Sequence, residues 1–291
     1  MPPPLTTRAR AKVNLDLRVL GRRADGYHEL ESLVAFAGMG DTLSLDPDAP
    51  LSLTLAGPRA EGLAVDDGNL VLRAARGLAA ARPGLRTGRF HLVKRLPLAS
   101  GIGGGSADAA AALRLLARLN DIAPADPLLR EVAAGIGADV PVCLDSRARL
   151  MAGIGEKLGP MLRLPPLFAV LVNPGVAVET VAVFRALDLK AGEMLSQARG
   201  AKLAAPASAA ELLGYLASTT NDLAAPARHV APVIDEVLDR LSALPGCRLA
   251  RMSGSGATCF ALFDDCAGSA AAAKTLQLER PGWWIRPTLL R

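Results

Sequence analysis

The chain contains 291 residues, of which 51% are hydrophobic and 21% are charged, and its formal net charge is +5. This composition supports a buried core and excludes intrinsic disorder as the default state. The length suits one large domain or two modest ones. No segment approaches the roughly 18 consecutive apolar residues of a membrane span, and the N-terminus lacks the apolar stretch of a secretory signal. We therefore expect a cytoplasmic protein with no membrane association.

The four cysteines form no CxxC pair and lie among apolar or small residues: Cys143, Cys247, Cys259 and Cys266. This pattern predicts reduced core thiols, with neither a zinc site nor a disulfide framework. The positive charge is compatible with nucleic acid, with an acidic small molecule or with a basic surface alone. Because the arginines are scattered and aromatic residues make up only 3% of the chain, few stacking platforms exist for nucleic acid bases.

The first half of the chain alternates strand-like and helical segments. Apolar and polar residues alternate over residues 11–20, which predicts one strand whose polar face carries Lys12, Asn14, Asp16 and Arg18. "DTLSL" and "LSLTLAG" flank "DPDAP" and predict a β-hairpin. Residues 68–82, and a segment from about Ser106 to Asn120, have helical composition, and "RFHLVKRL" between them returns to the two-residue period of a strand.

The second half begins near "LRLPPLFAVLVNPG", where a double proline precedes an apolar strand. Residues 211–218 and 231–244 read as helices, and so do the alanine-rich segments 197–213 and 268–276. "CRLARMSGSGATCFALFDD" predicts a strand, a glycine turn and a second strand. The order of these elements predicts an α+β fold with mostly antiparallel sheets.

A glycine-rich loop precedes the helix predicted from about Ser106. "PLASGIGGGSADAA" places four glycines at Gly101 and 103–105. Glycine permits close backbone approach and positive φ, and successive amides at a helix N-terminus bind anions. The spacing is neither that of a Walker loop nor that of a dinucleotide fingerprint. From the glycines alone, a phosphate loop and a plain tight turn are equally open.

The residues around the loop narrow this choice. "PLASGIGGGSADAA" resembles the phosphate-binding motif of the GHMP kinases, the family of galactose, homoserine, mevalonate and phosphomevalonate kinases. "ARAKVNLDLRVLGRRADGYHELES" near the N-terminus and "RMSGSGATCFALF" near the C-terminus resemble further motifs of the family in the same order. "DGYHEL" and "GADVP" are similar to the branch whose acceptor carries a cytidine diphosphate group. The resemblance covers nearly the whole chain and is weakest over residues 185–245.

The resemblance implies a fold and an activity. The expected architecture is the two-domain GHMP kinase fold, with an N-terminal half similar to ribosomal protein S5 domain 2 over residues 1–163 and a ferredoxin-like half over 164–291. The expected reaction is ATP-dependent phosphorylation of the 2-hydroxyl of cytidine diphosphate-linked methylerythritol, in the non-mevalonate route to isoprenoid precursors. The alternatives are a homoserine or mevalonate type of kinase, and a non-catalytic sensor or nucleic-acid module on the same fold. A monomer or weak homodimer that binds no nucleic acid is expected.

Two residues match the catalytic positions of the family. Asp139 corresponds to the aspartate assigned as the base, although its place before Pro141 also suits a turn or capping residue. Lys12 corresponds to a lysine beside that aspartate, although a solvated surface charge is the commoner fate of a lysine. An ammonium group there would keep the carboxylate ionised and stabilise negative charge on the reacting oxygen.

The resemblance also assigns residues to the acceptor and to ATP. The acceptor residues are Asn14, Tyr27, His28, Asp139, Phe184 and Gly254. Tyr27, His28 and Phe184 are expected to form a cytosine pocket. Gly254 belongs to "SGSGAT", for which a plain hairpin turn is the alternative interpretation. The nucleotide residues are Asn69, Lys94, Pro97, Ala99, Ser100, Gly101, Ile102, Gly103, Gly104, Gly105, Ser106 and Ala107. Asn69 suits a helix cap and Lys94 a surface charge equally well. Mg²⁺ is expected with the nucleotide, but the sequence assigns no metal ligands, and Asp108 stays open between a metal and the helix dipole.

Overall fold

The chain folds into two units, each assembled from segments that are far apart in sequence. The computed structural model describes residues 4–47, 49–195 and 206–291. The first unit comprises Met1–Ala11, Met39–Leu98 and Gly103–Ser146. The second comprises Lys12–Gly38, Ala99–Ile102 and Arg147–Arg291.

The described residues form a mixture of strands and helices. The strands, in chain order, are β1 (Leu5–Asn14), β2 (Arg18–Arg22), β3 (His28–Asp46), β4 (Ser52–Ala56), β5 (Arg89–Val93), β6 (Arg149–Gly153), β7 (Lys157–Leu158), β8 (Leu167–Asn173), β9 (Leu249–Met252), β10 (Cys259–Phe263) and β11 (Trp284–Leu290). The helices are α1 (Leu70–Ala81), α2 (Gly104–Leu119), α3 (Pro127–Ile136), α4 (Val140–Asp145), α5 (Thr180–Arg185), α6 (Ala209–Ala217), α7 (Ala224–Val230), α8 (Val233–Ser242) and α9 (Cys266–Glu279). Mostly antiparallel pairing together with these helices confirms the α+β prediction.

The first unit joins a small sheet to four helices. Its strand order is β4, β5, β3, with β1 also paired to β3, and α1, α2, α3 and α4 pack together. The predicted hairpin between residues 41–45 and 51–57 is wrong, because β5 lies between β3 and β4 and pairs with both. β4 runs parallel to β5, so Ser52 and Thr42 contact opposite edges of the same strand. A strand some 35 residues downstream thus takes the place that a hairpin partner would occupy.

The second unit is built on an antiparallel sheet. Its strands follow the order β9, β10, β8, β11, and β11 pairs with β3 where Leu290 lies opposite Ala37. β2 and β6 pair with the earlier part of β3. Apolar residues of β8, α8 and α9 meet in one core that includes Val170, Ile234 and Leu276. The predicted strand, glycine turn and strand over residues 247–265 is confirmed as the antiparallel pair β9 and β10.

The single strand predicted over residues 11–20 is wrong. β1 ends at Asn14 and β2 begins at Arg18. Between them, the carboxylate of Asp16 accepts a hydrogen bond from the Leu33 N–H at 2.6 Å, and the Ser32 hydroxyl donates to the Asp16 carbonyl at 2.5 Å. These side-chain bonds replace the regular strand ladder, so the alternating pattern continues through a break in the strand.

The remaining predicted elements differ in their ends. The helix after the glycine loop begins at Gly104, two residues before the expected start, because Gly103 takes the left-handed N-cap conformation. The alanine-rich helix predicted over 268–276 is confirmed within α9. Another alanine-rich helix is predicted over 197–213. The last part of this segment belongs to α6, which begins at Ala209, and residues 196–205 lie outside the described part of the chain. No helix among the described residues is long and apolar enough to cross a lipid bilayer.

Candidate active site

The end of β1 places two of the predicted site residues in a buried setting. Lys12 and Asn14 are each only 4% exposed, so the structure contradicts the alternative of a solvated surface lysine. The Asn14 side-chain amide donates to the Ser32 hydroxyl at 2.7 Å. Its oxygen, Oδ1, is buried and has no hydrogen-bond partner within the described residues. A buried acceptor without a donor is costly, and a ligand hydroxyl or amine would satisfy it.

The two glycine segments of the second unit touch through their backbones. The buried Ser253 hydroxyl donates to the Gly101 carbonyl at 3.0 Å and accepts the Asn14 N–H at 3.1 Å. The Thr258 N–H donates to the Ser100 carbonyl at 3.2 Å, and the Lys12 N–H to the Ile102 carbonyl at 3.0 Å. Residues 99–102, with Ala99 exposed at their start, are therefore held by β1 and by the turn between β9 and β10.

Gly101 is required by this close approach. Its φ is +73°, and a β-carbon there would lie 2.5 Å from the Ser253 carbonyl oxygen and 2.7 Å from that of Gly256. A β-carbon on Gly254 would likewise lie 2.7 Å from the Gly101 carbonyl oxygen. Neither position tolerates a side chain without backbone movement, which explains glycine in both motifs.

Two further buried side chains of this unit bond to backbone carbonyls and were not assigned from the sequence: Asn221, which supports the second glycine turn, and Arg251 in β9. Asn221 donates from Nδ2 to the carbonyls of Met252 and Gly254, each at 2.8 Å, and accepts the Leu223 N–H. Arg251 donates to the Leu15 carbonyl at 2.8 Å and to the carbonyls of Leu216 and Thr219. The "NDL" motif at 221–223 was the available signal for the asparagine, but sequence spacing does not show which carbonyls it reaches.

The predicted cytosine-pocket residues lie in the same unit, and two of them, His28 and Phe184, stack on each other. The rings of His28 and Phe184 are stacked with centroids 4.6 Å apart and an interplanar angle of 28°. Tyr27 directly precedes His28 in the chain and is 60% exposed. His28 Nε2 is buried without a hydrogen-bond partner in the described chain. Burial, and then the nearby Arg22 charge, lowers the pKa of His28, so its imidazole is neutral at pH 7.

In the first unit, α2 presents an uncapped N-terminus. Its N-cap is Gly103, with φ +63° and no side-chain capping bond. The first-turn N–H groups of an α-helix lack intrahelical acceptors and carry the positive end of the helix dipole. Gly104, Gly105 and Ser106 form that turn, with Ala107 buried behind it and its N–H bonded to the Gly103 carbonyl. The arrangement fits phosphate oxygens, which makes this the candidate cradle for ATP.

Lys94 is buried beneath that turn and is held by two carboxylates. Its ammonium lies 2.5 Å from Asp41 Oδ2 and 2.8 Å from Asp108 Oδ2, and it is 1% exposed. Burial lowers the pKa of Lys94, but the charges of Asp108 and Asp41 outweigh this and raise it above its usual value. The alternative of a surface charge is therefore contradicted. The nucleotide role of Lys94 stays a prediction, with its side chain committed to this cluster.

Asn69 and Asp139 both lie at helix starts in the first unit. Asn69 caps α1, where its Oδ1 accepts the Val71 N–H at 3.0 Å, as the alternative interpretation predicts. Asp139 occupies the N-cap position of α4 and is half-buried, but its carboxylate makes no capping bond to that helix. Pro97 is buried in the turn that leads from β5 to the glycine loop. Among the described residues, no group of three His, Cys, Asp or Glu side chains is placed to hold a metal ion.

Comparison with known proteins identifies the family. The family described as GHMP kinases N terminal domain matches residues 69–147, and that described as GHMP kinases C terminal matches residues 201–277. A 4-diphosphocytidyl-2-C-methyl-D-erythritol kinase from Methylobacterium radiotolerans is 61% identical over 288 residues, covering 99% of each chain. One from Xanthobacter autotrophicus is 55% identical over 290 residues, again covering 99% of each chain.

Solved structures agree with this result. A crystal structure of 4-(cytidine 5'-diphospho)-2C-methyl-D-erythritol kinase matches with a TM-score of 0.77 and 35% identity, covering 98% of this chain and 99% of the other. A homoserine kinase from Cytophaga hutchinsonii matches with a TM-score of 0.63 at 19% identity, covering 100% of this chain and 95% of the other, and shares the fold alone. The predicted GHMP kinase fold is confirmed, and the chain belongs to the 4-diphosphocytidyl-2-C-methyl-D-erythritol kinase family.

Proposed function

We propose that this protein transfers the γ-phosphoryl group of ATP to the 2-hydroxyl of 4-diphosphocytidyl-2-C-methyl-D-erythritol. The products are the 2-phosphate of that compound and ADP, in the non-mevalonate route to isoprenoid precursors. Two relatives named 4-diphosphocytidyl-2-C-methyl-D-erythritol kinase are 61% and 55% identical to this protein over almost the whole chain. The same proposal includes a small-molecule substrate, no role for nucleic acid, a cytoplasmic location, and a monomer or weak homodimer.

The structural observation that carries the proposal is a pair of buried polar side-chain atoms without hydrogen-bond partners in the described residues. Asn14 Oδ1 and His28 Nε2 are both buried and both lack a hydrogen-bond partner within the described part of the chain. The resemblance independently assigns both residues to the acceptor substrate. A neutral imidazole nitrogen accepts a hydrogen bond from an exocyclic amine, such as that of cytosine, and the amide oxygen accepts from a hydroxyl group.

Asp139 and Lys12 supply the chemistry on the acceptor in this proposal. The carboxylate of Asp139 accepts the hydrogen bond of the reacting hydroxyl and orients its oxygen toward the γ-phosphorus. As the new oxygen–phosphorus bond forms, the bond from the γ-phosphorus to the bridging oxygen of ADP breaks, and the proton of the hydroxyl passes to the Asp139 carboxylate. The Lys12 ammonium stabilises the negative charge that develops on the attacking oxygen.

ATP is assigned to the glycine loop and the helix that follows it. The backbone N–H groups of residues 103–106 would bind its phosphate oxygens at the start of α2, whereas the Ala107 N–H already donates to the Gly103 carbonyl. Asn69, Lys94, Pro97 and residues 99–102 complete the assignment made from the resemblance. Mg²⁺ bound to the nucleotide phosphates would add positive charge there.

A substrate comparison tests the function. We expect ADP formation with 4-diphosphocytidyl-2-C-methyl-D-erythritol and none above background with homoserine or mevalonate. A kinase for an acceptor without a nucleotide has no use for the stacked His28 and Phe184. Turnover of homoserine or mevalonate alone would overturn the proposal, and salt-sensitive RNA or DNA binding without turnover would favour the non-catalytic alternative.

Asp139→Asn tests the catalytic assignment. The amide keeps the shape of the side chain but cannot accept the proton, so we expect kcat to fall by about a hundredfold to ten-thousandfold. The affinity for ATP should change little, because the carboxylate acts on the acceptor rather than on the nucleotide. Steady-state kinetics and ATP titration measure the two effects separately. Near-normal kcat in a folded variant would refute the role of Asp139.

A further inference from the structure

Arg114 connects three elements of the first unit through one guanidinium group. It lies in the middle of α2, the helix that follows the glycine loop. Its Nη1 donates to the Cys143 carbonyl at 2.7 Å and to the Leu144 carbonyl at 3.3 Å, both near the end of α4. Its Nη2 donates to the Arg8 carbonyl of β1 at 2.9 Å.

The chemistry of these contacts is specific to arginine. The last carbonyls of a helix have no intrahelical donor and carry the negative end of the helix dipole. A guanidinium is planar, is always charged and presents several N–H groups in a fixed fork, so it reaches carbonyls of two elements at once. The compact ammonium of a lysine does not reproduce this fork.

Each of the three elements carries a residue of the proposed reaction. α2 begins at the glycine loop, α4 begins directly after Asp139, and β1 continues along the chain to Lys12. We infer that Arg114 is a positioning residue, which fixes α4 and β1 against the helix of the ATP phosphate cradle without itself touching substrate. The inference rests on the proposed function, because it concerns the alignment of the groups named there.

Two neighbouring arginines provide matched controls. Arg118 lies one turn further along α2 and donates to the Thr6 carbonyl of β1, but through a single exposed bond of 3.4 Å. Arg130 of α3 pairs with Asp145 of α4 at 3.0 Å, which links α3 rather than α2 to that helix. Replacing either Arg118 or Arg130 removes an arginine from the same group of helices, while the hydrogen bonds of Arg114 to α4 and β1 are kept.

The experiment compares Arg114→Lys with Arg118→Lys and Arg130→Lys, well below the melting temperature of each variant. A small misplacement of reacting groups is costly, so we expect Arg114→Lys to lower kcat by about tenfold to a hundredfold, with KM for ATP and acceptor changed by less than about threefold. The two controls should stay within about twofold of wild type. In Arg114→Ala, added guanidinium chloride at millimolar concentration should restore part of the lost kcat, whereas urea at the same concentration should not.

A second measurement does not depend on turnover. Hydrogen exchange should show faster exchange of the α4 amides in Arg114→Lys than in wild type, with the amides of α3 unchanged. A kcat of Arg114→Lys within about twofold of wild type, or the absence of guanidinium rescue, would overturn the inference. Failure of the wild type to phosphorylate the cytidylyl acceptor would instead reject the proposed function. In that case hydrogen exchange alone tests the positioning role of Arg114, and unchanged exchange of the α4 amides in Arg114→Lys would overturn it.

Discussion

The two polar atoms of the Asn14 side chain have different roles: the nitrogen bonds to the protein, and the oxygen is proposed to bind the ligand. Its amide nitrogen is bonded to the Ser32 hydroxyl, which in turn donates to the Asp16 carbonyl. This chain of bonds fixes the orientation of the amide, because the nitrogen faces a hydroxyl whose own proton is already used. The oxygen therefore stays available as an acceptor in a buried position.

Replacing Asn14 by alanine should weaken acceptor binding selectively. One hydrogen bond contributes about 0.5 to 1.5 kcal/mol, so we expect KM for the cytidylyl acceptor to rise by roughly twofold to tenfold, with KM for ATP nearly unchanged. Asn120→Ala is a suitable control, because that amide is bonded to the backbone of Arg86 at the surface. An unchanged KM for the acceptor would show that the Asn14 oxygen does not face it.

Asp108 should make stability depend on pH. Burial, and then repulsion from Asp41, raises the pKa of Asp108 to about 7 despite the opposing Lys94 ammonium. A carboxyl group whose pKa is higher in the folded state stabilises the fold fully below its unfolded pKa of about 4, and loses this contribution as pH rises through about 7. The contribution of Asp108 to the free energy of unfolding should therefore decrease as pH rises from about 4 to about 7.

Asp108→Asn removes this titration while keeping the shape of the side chain. The difference in unfolding free energy between wild type and variant, measured by urea denaturation at several pH values, should shift in favour of the variant as pH rises through that window. Asp235→Asn serves as the control, since that carboxylate forms a surface pair with Arg228. A difference independent of pH would contradict the raised pKa of Asp108.

At the scale of elements, the contact between the two glycine segments gives a sharp mutational test. Gly101→Ala adds a β-carbon 2.5 Å from the Ser253 carbonyl oxygen at a φ of +73°. Gly84→Ala is the matched control, because Gly84 has a φ of +82° and no atom within 4 Å of the added carbon. Both variants lose about 1 kcal/mol to the backbone strain of positive φ in a residue with a β-carbon.

Only Gly101→Ala should lose more stability than the cost of positive φ that it shares with Gly84→Ala. We expect a further loss of several kcal/mol, or a displaced loop with a higher KM for ATP, because backbone atoms must move to admit the carbon. Urea unfolding measures the first effect and ATP kinetics the second. Equal losses in the two variants would mean that the approach of Gly101 to residues 253–256 does not constrain the loop.

Local patterns predicted the elements better than their partners. The strands and glycine turn of 247–265 and the helix after the phosphate loop were predictable, because periodicity and helix propensity act over a few residues. The hairpin over 41–57 was wrong because the partner of both strands, β5, lies far along the chain. The strand over 11–20 was wrong because alternation does not register the Asp16 bonds that interrupt it.

The candidate site shows the same limit. Through resemblance, the motifs predict the glycine loop as the ATP site, Lys12 and Asp139 as catalytic residues, and the aromatic residues as a cytosine pocket, and these assignments stay predictions. The burial of Lys94 between Asp41 and Asp108 was not predictable, since these residues are separated by up to 67 positions and only folding brings them together. Arg114 lies in no motif, so its bonds to backbone carbonyls were not predictable. Asn221 and Ser253 do lie in motifs, but sequence spacing does not show which carbonyls they reach.

At the scale of the whole molecule, the second unit depends on a segment from the first part of the chain. Leu17 exchanges backbone hydrogen bonds with Thr220 and Asp222, at 3.0 and 2.8 Å. Phe36 exchanges two with Arg291, at 3.0 and 3.2 Å. Leu17 and Val19 also belong to the core that includes β8 and α8. The strands near the N-terminus are therefore part of the same hydrophobic core as the last strand.

This dependence predicts the behaviour of a chain divided at the expected domain boundary of 163 and 164. The fragment 1–163 would carry residues 12–38 without their partners in residues 164–291. Apolar side chains such as Leu17 and Val19 would then be exposed, at a cost of about 1.5 to 3 kcal/mol for each large one. We expect neither fragment alone to show a cooperative thermal transition, measured by circular dichroism and calorimetry beside the intact chain. Coexpression of 1–163 with 164–291 should restore a cooperative transition and kinase activity, because every contact of residues 12–38 is then available again. A fragment 1–163 that melts cooperatively on its own, within a few degrees of the intact chain, would show that residues 12–38 do not need the second unit and that the boundary separates two autonomous domains.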